Sequence, residues 1–535
     1  MTGEKTQLLL AMALYMAAIL GIGIYTARRA NRSSADYFIG GRSLGPWVAA
    51  MSAEASDMSG WLLMGVPGVA YWCGLADAFW TCLGLLLGTY FNWLLVAKRL
   101  RRYSVIAGNA ITLPEFFSNR FREKKPVLLV VASIFILVFF AVYVGSCFVT
   151  GGKLFSTLFG MDYKTMMLIG AIFVIAYTFL GGFLAESVSD LMQAIIMVAA
   201  LLAVFVVGGI KAGGIGAIFE NVRDFPGFLE FFSMASPVTD DAGKQLAEGA
   251  KPMFGDAASY GWLTIISTMS WGLGYFGMPQ VLLRFMAIRK VRELGRSRRI
   301  ATVWCAVSMA AAIGIGLMVR ALYPTADGLQ TAGGAEGAFI SAATNLFPVF
   351  LAGIIMSGIL AAAMSSADSY LLIATSALSK NIFQGLFHRR ATDKQVMLVS
   401  RVALLLVAAF GVLIALNDKS EIFKIVSFAW AGFGATFGPL MLLSLFWKRT
   451  TMPGALAGML GGGGMVFFYK FVIRTTFEKT VFNIYELLPA FLFSALLIVL
   501  VSLLTKKPDA VIAADFEKAK DAANDAHPNP ALQEK

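Results

Sequence analysis

Glu54 and Asp57 stand in the stretch Ala53–Trp61 (AEASDMSGW), with Ser56, Ser59 and Gly60 beside them, in the middle of an apolar run long enough to cross a bilayer. A helix that only anchors needs none of these groups. A charged side chain at the centre of a membrane helix costs about 3 kcal/mol even on the most lenient scale. Irregular backbone survives at that depth only where it lines a cavity or is buried in protein. The stretch therefore predicts a discontinuous helix that carries a site for ions and small solutes.

A second interruption occurs at Ser270–Pro279 (SWGLGYFGMP), where Gly272, Gly274 and Gly277 precede Pro279 and oppose an unbroken helix. A third polar element, Ala361–Ser369 (AAAMSSADS), sets Ser365 beside Ser366 among alanines small enough to admit a neighbouring helix. Sodium is a hard cation that takes oxygen ligands, and hydroxyls and carbonyls supply them. Taken alone, such serines more often bond a carbonyl one turn back in their own helix. Asp190 reads equally well as a site residue or as a solvated cap at the start of its helix. Trp61, Tyr143, Trp271 and Tyr275 fill a core or an interfacial belt by default, but the Trp-Gly-x-Gly-Tyr pattern leaves room for a ligand against the rings. Positive-inside bias is enough to account for Arg42, in Gly40–Pro46 (GGRSLGP).

The elements that position these groups are membrane helices. Of 535 residues, 58% are hydrophobic and 14% charged, against about a quarter charged in a soluble protein. Thirteen apolar stretches follow one another, near 7–27, 44–71, 75–97, 126–154, 163–182, 187–210, 258–285, 300–322, 347–379, 396–416, 421–447, 452–473 and 484–505. Charge alternates between them. Residues 98–125 hold eight Lys/Arg against two Glu, and 286–300 six against one, whereas 211–258 hold seven acids against four bases. All basic loops fall on one side if the amino terminus is outside and the carboxyl terminus inside, which an odd number of spans satisfies. The net charge of +12 is thus a topology signal and no sign of nucleic-acid binding. The two interruptions fall in the second and seventh spans, five apart, which is the pattern of an inverted-repeat transporter with its site at the midplane.

The first apolar run reads as a retained helix and not a cleaved signal. Four single cysteines and two histidines, with no CxxC pair, oppose a disulfide framework or a zinc site. With no phosphate loop, nucleophile elbow or metal cluster, an enzyme is disfavoured. A membrane sensor would need an added cytoplasmic domain, and the polar tail is too short for one. That tail, 506–535, reads as cytoplasmic, with a surface helix around 510–524 followed by disorder.

Gly40–Pro46, Ala55–Gly65 (ASDMSGWLLMG), Trp271–Gly277 with Pro279, Arg284-Phe285-Met286, the Ala-Met-Ser-Ser run and Ser427–Pro439 (SFAWAGFGATFGP) together resemble the sodium/solute symporter family. The likeness extends to about residue 505. It implies an all-α polytopic membrane protein of thirteen helices, with a five-plus-five inverted repeat and two discontinuous helices. The first helix would be 7–27, repeat one about 44–210, repeat two about 258–447, and two further helices 452–505. It implies sodium-coupled uptake of L-proline by alternating access across the plasma membrane, with a sugar, sialic acid or pantothenate as alternative solutes. Sodium is the coupling ion, with no other cofactor, and no obligate protein partner is evident beyond the lipid bilayer. The sodium ligands implied are the carbonyls of Ala55, Met58 and Ala362 with the hydroxyls of Ser365 and Ser366. Asp57, Arg42 and Asp190 match positions that support sodium coupling, Asp190 forming an additional sodium site in some relatives. Tyr143, Trp271, Tyr275 and Pro279 match positions implicated in substrate binding, and Ser59, Gly60 and Trp61 at the first break are grouped with them. Glu54 departs from the family pattern. It is expected to face a polar cavity, pair with a base, or sit protonated because burial favours the neutral acid.

Overall fold

The computed structural model describes residues 3–30, 34–180, 182–478 and 480–521. Ten helices among these residues are long and apolar enough to cross a membrane: Gly3–Gly23, Leu75–Ile106, Val127–Phe159, Phe183–Lys211, Val291–Leu322, Val349–Phe387, Asp393–Ala415, Ile422–Phe446, Met452–Thr476 and Leu487–Leu504. Other apolar segments fall below that measure for visible reasons. Tyr163–Phe179 is short, while the Pro46–Cys73 and Trp262–Ala287 runs are broken part-way.

Burial sorts the helices into centre and periphery. In Val349–Phe387 and Ile422–Phe446, 78% of the apolar window is buried inside the protein, against 28% in Gly3–Gly23. The two most enclosed helices are also the ones that carry Ser365, Ser366 and Trp430. The broken Pro46–Gly60 helix packs between Phe183–Lys211, Leu294–Leu322 and Val349–Ser376, and every residue from Ala49 to Gly60 is buried.

The first break lies at Ser59, whose φ of 44° and ψ of −164° depart from helical values. A non-glycine residue in that region is strained and persists only where its surroundings hold it. A π-helical turn, Trp61–Gly65, follows directly; such turns recur at functional sites.

The second break differs from the sequence expectation. The backbone stays helical through Trp271–Gly274, tightens to a 3₁₀ turn at Tyr275–Gly277, and opens only at Met278, with ψ of 109°, before Pro279 starts the next helix. The glycines serve close packing instead. A Cβ on Gly272 would lie 2.1 Å from the carbonyl oxygen of Gly84, and one on Gly88 would lie 2.3 Å from that of Gly272. Small residues at such crossings let membrane helices touch backbone to backbone.

Two further features depart from the all-α, tailed expectation. The 211–258 stretch holds the helix Ile215–Val222, and small antiparallel pairs form between Ser233–Met234 and Ala258–Ser259 and between Ala247–Glu248 and Lys251–Pro252. The surface helix expected near 510–524 spans Ala510–Lys518 and is docked, with Phe516 buried against Tyr103 and Arg120. Ion pairs Arg122–Asp515 (2.8 Å) and Lys448–Glu517 (3.0 Å) tie it to the basic loops. Residues 522–535, the rest of the expected tail, lie outside the described residues.

Candidate functional site

Helix Val349–Ser376 crosses the broken Pro46–Gly60 helix where both are deeply buried. There Ser365 Oγ donates to the Ala55 carbonyl at 2.9 Å and approaches that of Ala362 at 3.3 Å, and Ser366 Oγ lies 3.3 Å from the same Ala55 oxygen. Two hydroxyls and two carbonyls from separate helices thus meet away from water. Oxygen donors of this kind suit sodium. The carbonyl of Met58, a buried residue on the same helix, accepts from the backbone N–H of Trp61.

Asp57 stands beside this group and couples the two breaks. Gln280, in the half-helix that Pro279 begins, donates from Nε2 to Asp57 Oδ1 at 3.3 Å. Asp57 also lines a small aromatic pocket with Met58, Trp61, Leu85, Tyr143, Trp271, Val426 and Trp430. Its free volume is about 10 Å³, room for one water at most. The rings rest on one another: Trp61 lies 5.6 Å from Trp271 and 5.8 Å from Phe423, and Trp430 lies 6.0 Å from Trp271 and donates its indole N–H to the Trp271 carbonyl at 2.7 Å. Trp61 itself has a buried indole N–H without an acceptor among the described residues. These walls must part before an organic molecule can enter.

Among the residues the sequence grouped for substrate, Trp61, Tyr143 and Trp271 line this pocket. Tyr275 stands edge-on to Trp430, at 5.0 Å and 89°. Gly60 faces Thr150, where a Cβ would lie 2.2 Å from the hydroxyl. Ser59 makes the break and accepts from the Trp61 N–H at 3.2 Å, and Pro279 opens the second half-helix. Leu85, Phe423 and Val426 had no local signal that set them apart from ordinary core residues, and Trp430 was marked only as part of the Ser427–Pro439 run.

Asp190 is not a solvated cap. It is fully buried, and Oδ2 accepts from Ser52 at 2.7 Å, from Ser56 at 3.0 Å and from the Arg284 guanidinium at 3.3 Å. Arg284 also pairs with Glu186 and donates to Ser52, Ser56 and Ser369. This buried network joins four helices just beyond the serine pair. Glu54 has no basic partner among the described residues. Its oxygens accept from the Trp93 indole at 3.4 Å and the Cys305 thiol at 2.9 Å, both neutral groups.

Arg42 is buried among the basic segments. Its guanidinium donates to Asn109 Oδ1 and Ser104 Oγ at 3.0 Å, to Ala110 O at 2.7 Å and to Met286 O at 2.5 Å, near the end of the second half-helix. Glu336 joins Lys153 to the start of the Ile422–Phe446 helix, and nothing local in the sequence marked it. Its carboxylate accepts from Lys153 at 2.7 Å and from the backbone N–H groups of Ile422 and Phe423 at 3.0 and 2.9 Å. Burial raises its pKa, opposed by Lys153 and the two N–H groups. A cavity of about 770 Å³ opens beside this latch, lined in part by Met64, Lys153, Asp327 and Glu421.

Residues 37–462 match the model of the Sodium:solute symporter family. The sodium/proline symporter of Haemophilus influenzae is 41% identical over 97% of this chain and 98% of its own. The Escherichia coli sodium/proline symporter is 39% identical over 99% of both, and the osmoregulated proline transporter of Bacillus subtilis 38% identical over 94% and 96%. Among solved structures, a sodium-coupled sialic acid symporter in a substrate-bound outward-open state superposes with a TM-score of 0.73 at 18% identity, over 94% of this chain and 99% of that one. At that identity the likeness speaks for the fold alone.

Proposed function

The chain belongs to the sodium:solute symporter family, and we propose that it carries L-proline into the cell together with sodium. The observation that carries this reading is the meeting of Ala55 O, Ala362 O, Ser365 Oγ and Ser366 Oγ, with Asp57 bridging to an aromatic pocket of the right character for a pyrrolidine ring. Sodium takes those oxygens, with the Met58 carbonyl turning in as a further ligand. Binding fixes the crossing of the broken helix on Val349–Ser376, and the indole and phenol walls then close on proline. Asp57 acts from behind, holding the two half-helices in register through Gln280.

Thirteen spans follow when the two broken runs and Tyr163–Leu180 are counted with the ten. Repeat one is then about 44–210 and repeat two about 258–447, with helices 7–27 and 452–505 outside them. The basic loops put the amino terminus outside and the carboxyl terminus in the cytoplasm. Arg42 then sits at the inner mouth and Glu336 at the outer one. Asp190 is held by Arg284 and serves the interhelical network.

The driving force needs no nucleotide. One positive charge moving inward down 100 mV supplies about 2.3 kcal/mol, and a tenfold sodium gradient adds about 1.4 kcal/mol. Together they sustain roughly several-hundredfold accumulation of a zwitterion. Uptake of labelled L-proline into proteoliposomes, challenged with unlabelled sugars, sialic acid, pantothenate and other amino acids, tests the substrate. Competition by proline alone supports the reading, and displacement by another solute at lower concentration overturns it.

A further inference from the structure

We propose that Tyr485 positions the Trp271 indole for substrate, so that the last pair of helices, outside the repeats, takes part in proline binding. This rests on the proline-uptake reading and extends it. Residue 485 lies beyond the 37–462 region that matches the family, and it is absent from the pocket lining. Its ring stacks on the back of Trp271, with centroids 5.1 Å apart and planes 24° apart.

Three anchors hold that ring still. The Tyr485 backbone N–H donates to Ser267 Oγ at 2.7 Å, and its hydroxyl donates to the Ser427 carbonyl at 2.7 Å. The next residue, Glu486, is buried and paired with Arg474 at 2.7 Å and Lys470 at 3.3 Å. Ser267 precedes the second break on the helix that runs into Trp271, and Ser427 lies on the helix that carries Trp430. Tyr485 is thus bonded to both elements that wall the pocket and stacked on the indole between them. The indole is also in contact with Trp61, Phe423 and Trp430. Tyr485 adds a stacked face that lies outside the pocket lining, and it sets where the indole rests.

The test compares Tyr485→Leu, which keeps an apolar side chain but loses the aromatic face, with Tyr485→Phe, which keeps the ring and loses only the hydroxyl bond. Both are measured in proteoliposomes for proline KM, sodium KM and maximal rate, with thermal unfolding in detergent as a check on folding. An aromatic stack of this kind is worth a three- to tenfold effect, roughly, on binding. Tyr485→Leu is expected to raise the proline KM by about that factor, with maximal rate and sodium KM within about twofold, and Tyr485→Phe to restore it. Wild-type KM in Tyr485→Leu overturns the inference, as does a fall in maximal rate and melting temperature with KM unchanged. Absence of sodium-driven proline uptake by the wild-type protein would instead overturn the reading on which it rests.

Discussion

Ser365 Oγ reaches the carbonyl of Ala55 at 2.9 Å across a separation of 310 residues. The contact ties one of the two most enclosed helices to Ala55, one helical turn before the strained Ser59. Replacing Ser365 by Ala removes one of the oxygens that meet there. A lost ligand of this kind is worth about 1 kcal/mol or more. Ser365→Ala should raise the sodium concentration for half-maximal proline uptake by about tenfold, while Ser366→Thr, which keeps a hydroxyl, should stay near wild type. An unchanged sodium dependence in Ser365→Ala would remove the serine pair from the site.

Asp57→Asn keeps the shape but gives Gln280 a neutral amide oxygen, a weaker acceptor than the carboxylate. The variant should bind sodium at least tenfold more weakly, as read by isothermal titration in detergent. Gln280→Ala should show the same direction with a smaller effect. If Gln280→Ala were silent while Asp57→Asn was not, Asp57 would act on sodium directly and not through the second half-helix.

Gly272→Ala puts a methyl group 2.1 Å from the backbone oxygen of Gly84. Backbone cannot yield as a side-chain tip can, so the helices must separate. The expected cost is about 1–3 kcal/mol, read as a melting temperature several degrees lower in the same detergent. A neutral outcome would mean that the close crossing is dispensable.

Glu336 makes the outer closure depend on pH. Its pKa is raised by burial, so protonation begins above the usual carboxylate range. The ionised form is the one that holds Lys153, so the latch is strongest at high pH and weakens as pH falls through the folded pKa. Glu336→Gln should mimic the low-pH state, slow maximal uptake and remove this part of its pH dependence. Breaking a buried pair on one side costs about 3–5 kcal/mol, so the loss of closure should be large. A maximal rate and pH profile like those of wild type would argue against the latch.

The membrane class, the apolar runs and the two breaks were legible because each has a local signature. Length and hydropathy mark a span, and polar or glycine-rich interruptions mark a break. The interruption at Trp271–Pro279 was legible, but the close packing of its glycines was not, since it shows only against Gly84 and Gly88 for Gly272, Trp430 for Gly274 and Phe433 for Gly277. Asp190 stayed ambiguous because its environment depends on Arg284, which lies 94 residues away. Glu336 and Tyr485 look like ordinary core or loop residues along the chain, and Trp430 stood out only as part of the Ser427–Pro439 run. Their part in the site exists only once helices from both halves and the last pair are brought together.

The most direct measurement is the simultaneous flux of labelled proline and radioactive sodium into proteoliposomes holding the purified protein. The account predicts that proline stimulates sodium entry, that sodium stimulates proline entry, and that both stimulations are lost in Ser365→Ala at low sodium. Proline entry that is equal in sodium and potassium, or unaccompanied by sodium, would contradict it.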